Sequence, residues 1–187
     1  MLMKRISRAI LKLMGWDIDE SAPKDVDKAV LVVGPHTSNW DFIIGRLAFV
    51  SYGIKPKVLI KKEMFFFPLG LILRAIGGIP ISRDKNNNFT DQAKSIFDKY
   101  DKVHMVFTPE GTRSYNPNWK KGFYYVAKKC NVPIYICYID FKNKKGGFLE
   151  PFNPSNDVHK DIAYIKEKLS KFKGKYPENG IKKVSEE

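Results

Sequence analysis

The chain carries His36 five positions ahead of Asp41, in the segment His36-Thr37-Ser38-Asn39-Trp40-Asp41. A carboxylate on one ring nitrogen fixes the tautomer of an imidazole and stabilises the imidazolium, leaving the other nitrogen to accept a proton. The pair could therefore form a general base with its orienter. A continuous helix would not bring residues at this spacing together, whereas a turn from loop into helix could. The same residues also fit a capping box, in which Asp41 reaches back to the backbone N–H of a cap at Ser38. Spacing alone leaves both readings open.

A second polar cluster, Thr108-Pro109-Glu110-Gly111-Thr112-Arg113-Ser114, leaves an apolar run and enters a loop containing Asn116-Pro117. Its plainest reading is a Pro-Glu-Gly turn, although polar loops that follow strands often carry function. Arg83, after Gly77-Gly78-Ile79-Pro80-Ile81-Ser82, and Arg113 could offer a phosphate the bidentate contacts that guanidinium geometry favours. Lys120 and Lys121 are weaker additions, and each cation taken singly reads as a solvated surface charge. Ser82, Ser114, Cys130 and Cys137 have no base placed beside them by sequence, which argues against a covalent intermediate on the chain. Two cysteines are too few for a zinc cluster, so no metal is expected. Cys137, within an apolar run, suits a reduced thiol and a cytosolic setting.

The elements that must position these residues are legible from patterning. Ala29 to Val33 is a continuous β-branched run ended by Gly34-Pro35, a buried strand that delivers His36 at its carboxyl end. Trp40 to Tyr52 has helical spacing, with Ser38 as the expected N-cap. Strands are expected at Lys57 to Ile60, Ile79 to Ser82, Val103 to Thr108 and Val132 to Ile139. Helices are expected at about Pro68 to Ile76, Asp91 to Tyr100, Trp119 to Lys129 and Asp157 to Phe172, followed by a frayed Lys-rich tail. The alternation predicts an α/β fold: a single domain with a mostly parallel or mixed central sheet flanked by helices, its functional loops at the carboxyl ends of strands.

Length agrees with one domain: 187 residues suffice for a single core. The division expected is a basic amphipathic N-terminal helix over 1–20 and a catalytic domain over 21–187. In that helix Met3, Ile6, Ile10, Leu13 and Met14 share one face, away from most of Lys4, Arg5, Arg8 and Lys12. Such a helix can lie in an anionic membrane surface or pack on its own domain, and the sequence does not choose. Lys12 and the lack of a small-residue cleavage site argue against a signal peptide. The apolar stretch Met64 to Ile81 contains Arg74 and two prolines, which makes it a poor membrane span. It reads chiefly as core, with an acyl-binding or membrane-dipping surface as the functional alternative. The formal charge of +13 favours an anionic partner without naming it.

In their order along the chain, these blocks resemble the glycerolipid acyltransferase family typified by bacterial 1-acylglycerol-3-phosphate acyltransferase. His36 to Asp41 is similar to its first motif, the H-x4-D signature. Gly78-Ile79-Pro80-Ile81-Ser82-Arg83 resembles the second, Phe107 to Ser114 the third, and Val132-Pro133-Ile134 the fourth. The resemblance implies catalysis by His36 and Asp41. It further implies acceptor-phosphate ligands at Arg83 and Arg113, a binding loop shaped by Glu110, Gly111, Thr112 and Ser114, and possible phosphate or donor contacts from Lys120 and Lys121. It implies no bound cofactor, the co-substrate being an acyl-CoA or acyl carrier protein thioester. The implied acceptor is a lyso-phospholipid or glycerol-phosphate-like molecule such as 1-acylglycerol-3-phosphate. The partners expected are that donor, that acceptor and an acidic membrane surface, met at the inner face of the cell membrane, with no nucleic acid. The alternative is a basic membrane- or nucleic-acid-binding module without catalysis, since Tyr115, Trp119, Phe123, Tyr124 and Tyr125 could stack bases.

Overall fold

The central strand β2 (Lys28–Gly34) alternates its side chains between two separate cores: Val30 and Val32 enter one, and Ala29, Leu31 and Val33 the other. Both faces are buried, which is why the run is apolar throughout. The structure is a computed structural model and describes residues 2–19, 21–23, 25–82 and 88–182. Around β2 the sheet contains β1 (Asp17–Ile18), β3 (Lys57–Lys61), β4 (Gly78–Ile81), β5 (Val103–Phe107), β6 (Ile134–Asp140) and β7 (Lys145–Phe148). Their order is β1-β7-β6-β2-β5-β3-β4, and every pairing is parallel except β6 with β7.

The helices are α1 (Leu2–Leu13), α2 (Trp40–Tyr52), α3 (Leu69–Ala75), α4 (Phe89–Lys99), α5 (Gly122–Cys130) and α6 (Val158–Leu169). Residues of α4, α5 and α6, among them Phe97, Phe123 and Ile165, pack in the core that takes Val30 and Val32. Residues of α1 and α2, among them Leu11, Ile44 and Phe49, pack in the other. The architecture is the expected α/β domain with a mixed sheet, flanking helices and a leading helix.

Several details differ from the expectations. Helix α1 ends at Leu13, short of residue 20, because the chain turns at Gly15 (φ +78°) and then adds β1 to the sheet edge, with Trp16 in the core. Strand β7 was unforeseen: its Lys-Gly-Gly-Phe sequence has loop composition, and only pairing with β6 makes it a strand. The stretch from Met64 is mostly surface rather than core. Met64, Phe66, Phe67, Leu71 and Ile72 are all exposed, Phe67 by 84%. Nor is the C-terminal segment frayed through residue 182: Phe172 stacks on Tyr138, and Ile181 packs against the core.

Candidate active site

Strand β2 ends at Gly34, and the loop that follows delivers His36 beside the start of α2. One carboxylate oxygen organises this turn. Asp41 Oδ2 lies 3.1 Å from His36 Nδ1 and accepts the backbone N–H groups of Thr37 (2.7 Å) and Ser38 (2.8 Å). The cap and the imidazole–carboxylate contact, which spacing could not separate, thus coexist in one carboxylate. Ser38 also contributes its hydroxyl, which accepts the N–H of Trp40 at 2.9 Å, while Asn39 stands at the N-cap position with no side-chain cap bond. Asp41 is buried (4% exposed) and the His36 side chain is 20% exposed, so a fixed charge underlies a reachable ring.

The second loop enters from β5. Glu110 is 2% exposed and its Oε1 accepts the backbone N–H of His36 at 2.7 Å, which ties the two loops together. A Cβ on Gly34 would come within 2.9 Å of Leu169 Cδ1 and into ordinary contact, 3.4 Å, with Glu110 Oε1, so the bare backbone there makes room chiefly for the Leu169 methyl. The Glu110 carbonyl accepts from Asn116 Nδ2 at 2.7 Å, and Gly111 turns the chain at φ +70°. Glu110 therefore braces the His36 loop from below instead of facing the loop's exposed surface.

Burial pushes the Glu110 carboxyl up to about 7; the His36 N–H opposes the rise and the nearby Asp41 charge adds to it. Folded Glu110 thus keeps its proton to about 7, whereas at its ordinary value, 4.5, the unfolded chain releases it earlier. The folded state binds more protons between these values, so stability falls as pH rises through that window. Glu110→Gln keeps an acceptor for the His36 N–H but cannot titrate. Urea unfolding at both ends of the window should show wild type losing about 2–3 kcal/mol more than the variant.

The remaining residues singled out from sequence divide. Arg113 and Thr108 line the same groove as His36 and Asp41. Thr112, Ser114 and Lys120 are exposed on the loop, with the Ser114 N–H donating to Thr112 Oγ1 at 3.3 Å. Lys121 turns to α6, its Nζ lying 3.3 Å from His159 Nε2, beside a different hollow lined by Trp119 and Lys166. Arg83 lies outside the described residues.

The groove itself has a volume of about 590 Å³ and, beyond His36, an apolar wall to which Phe42, Ile43, Phe49, Val58, Ile60 and Leu73 contribute. This is the size range of small-molecule sites. Sequence reading had assigned an apolar site only to the Met64 to Ile81 stretch, yet α2 and β3 supply much of it. The available signal was that α2 is apolar on nearly all sides, with Trp40, Phe42 and Ile43 left exposed. Also missed was a strap formed by the C-terminal segment. The Tyr176 N–H donates to Thr37 Oγ1 at 3.3 Å, Lys175 Nζ sits 4.8 Å over the Trp40 ring, and Lys182 Nζ 4.4 Å over Tyr115. It crosses both loops from a distance in sequence that no motif spacing reveals.

Comparison with known proteins bears on the fold and the family. The crystal structure of the 1-acyl-sn-glycerophosphate (LPA) acyltransferase PlsC from Thermotoga maritima is similar in fold, with a TM-score of 0.64 and 17% sequence identity, over 89% of this chain and 75% of that one. No curated protein matches the chain. The family model described as Acyltransferase matches residues 17–140, from β1 to the end of β6, which takes in the His36 turn, the Glu110 loop and the groove between them. Because that match spans more than half of the sequence, the chain belongs to the acyltransferase family.

Proposed function

We propose that the protein moves a fatty acyl group from an acyl-CoA or acyl carrier protein thioester to a hydroxyl of a lyso-phospholipid or glycerol-phosphate-like acceptor, with 1-acylglycerol-3-phosphate as the leading candidate. The observation that carries this reading is the His36–Asp41 contact at 3.1 Å on the wall of an apolar groove. With Nδ1 committed to the carboxylate, Nε2 is the nitrogen left to take a proton. His36 removes the acceptor hydroxyl proton as that oxygen bonds to the thioester carbonyl carbon. The C–S bond then breaks, and the proton passes to the departing thiolate, giving an ester and a free thiol. The groove is suited to the acyl chain, and Arg113 on its wall is suited to the acceptor phosphate.

The protein works in this reading as a peripheral enzyme on the inner face of the cell membrane. No helix among the described residues is long and apolar enough to cross a membrane. The exposed side chains of Phe66, Phe67, Leu71 and Ile72, and of Leu2, Met3 and Leu13 on α1, support such a seat.

The test is acyl transfer from labelled acyl-CoA and acyl carrier protein donors across a panel of lyso-lipid acceptors. Salt-sensitive binding to single-stranded nucleic acid with no turnover on any acceptor would favour the binding-module alternative instead. Arg113→Ala should raise the acceptor KM about tenfold or more and leave the donor KM near wild type, because a phosphate anchor serves one substrate only. Equal effects on both would remove Arg113 from that role.

A further inference from the structure

A hollow larger than the groove at His36 lies elsewhere among the described residues. It lies at the amino-terminal ends of the strands, where Asp27 precedes β2, Lys55 and Lys57 open β3, and Lys102 and His104 open β5. Helix α1 and the last turn of α2 complete it, enclosing about 720 Å³. His36 and the Glu110 loop stand beyond the opposite ends of β2 and β5. At ~3.3 Å per residue, the seven-residue strand β2 puts roughly 20 Å between the two sites.

Its lining is strongly cationic: Lys4, Arg5 and Arg8 from α1, with Lys55, Lys57 and Lys102. The one carboxylate among its described lining residues, Asp27, is paired with Lys102 at 2.8 Å. These cations come from three separate stretches of sequence, so they are not a single solvated charge run. Gathering them around one concavity focuses a positive potential that a bound anion would relieve.

We propose that this hollow binds the phosphate headgroup of an anionic phospholipid, at a site separate from the catalytic groove. The choice of a lipid rests on α1. The helix that supplies Lys4, Arg5 and Arg8 turns Leu2, Met3, Ile6, Ile10 and Leu13 to solvent, Leu13 by 88%. A phosphate in the hollow and acyl chains along that stripe would satisfy both surfaces at once. A nucleotide fits less well. Tyr100, the aromatic ring at the rim, is already faced by Lys57 Nζ at 4.9 Å and Lys99 Nζ at 5.5 Å, which blocks base stacking.

The inference rests on the peripheral-membrane part of the proposed function, not on the chemistry at His36. The test compares the whole protein with a K55E/K57E variant in flotation with phosphatidylcholine vesicles, with and without phosphatidate or phosphatidylglycerol. A K142E/K160E variant, changed equally in charge at exposed positions elsewhere, serves as control. Wild type and control should bind anionic vesicles, and K55E/K57E about tenfold or more weakly. Its turnover of detergent-dispersed substrates should be unchanged. Equal binding by K55E/K57E and the control overturns the hollow as the site. Failure of wild type on every vesicle overturns the peripheral reading itself. Calorimetry with inorganic phosphate separates the remaining source: tight binding lost in K55E/K57E, with vesicle binding unaffected, would reassign the hollow to a soluble phosphoester and overturn the lipid. Flotation needs no turnover, so an inactive His36 variant leaves these outcomes readable.

Discussion

His36→Ala should lower kcat by about 10²–10⁴-fold, the contribution of a positioned general base, and leave the fold in place. An acceptor alcohol is almost fully protonated at neutral pH, so attack on a thioester slows when nothing accepts the proton as the new bond forms. The structure makes this substitution unusually clean. The ring is partly exposed, so its loss opens no sealed cavity, and Asp41 keeps the N–H groups of Thr37 and Ser38. The His36 N–H that holds Glu110 is backbone and survives the change. Unfolding should shift by about 1.5–3 kcal/mol, the worth of one hydrogen bond to a charged group. Steady-state kinetics beside a urea melt checks both halves. Activity near wild type would sink the base assignment, and loss of the fold would show the ring to be structural.

Asp41→Asn should give the second large effect, on the order of 10²–10⁴-fold in kcat, by a different route. Asp41 Oδ2 accepts from His36, Thr37 and Ser38 together, while Oδ1 has only a long contact of 3.4 Å from the Ser38 hydroxyl. An Asn amide can place its oxygen where Oδ2 stands and its NH₂ toward Ser38, preserving the turn. What disappears is the charge that stabilises the imidazolium as it forms. Charge-assisted hydrogen bonds become neutral ones, so stability should fall by about 1–3 kcal/mol with the fold intact. A role confined to capping predicts the stability loss with normal kcat. Measured together, the two quantities separate the catalytic role proposed for Asp41 from the capping one.

That double contact shows how far local sequence reached. The His36 to Asp41 spacing allowed both a cap and an imidazole–carboxylate contact, since each depends on a turn of a few residues, and α2 begins at Trp40 as expected. The strand before it was legible because a sheet buried on both faces demands a continuous apolar run. Helix α5 starts at Gly122, later than the Trp119 expected, because Lys120 donates its N–H to Pro109 and belongs to the preceding loop.

Other features had no local signal. Glu110 looked like a ligand-facing loop residue, and only the packing of β5 against β2 shows its carboxyl beneath His36. The apolar stretch from Met64 looked like core because hydrophobicity does not record which side is covered. The strap at Lys175 and Tyr176 meets Thr37 across 139 positions, beyond any motif.

The amino-acid sequence by itself determined the pairing of His36 with Asp41, the alternation of strands and helices, and the excess of positive charge, because each follows from residue type and short-range spacing. The tertiary structure alone decided which carboxylate braces which loop, which apolar side chains line the groove, and where the charge gathers. Those properties belong to contacts between segments distant in the chain, brought together by burying both faces of one sheet.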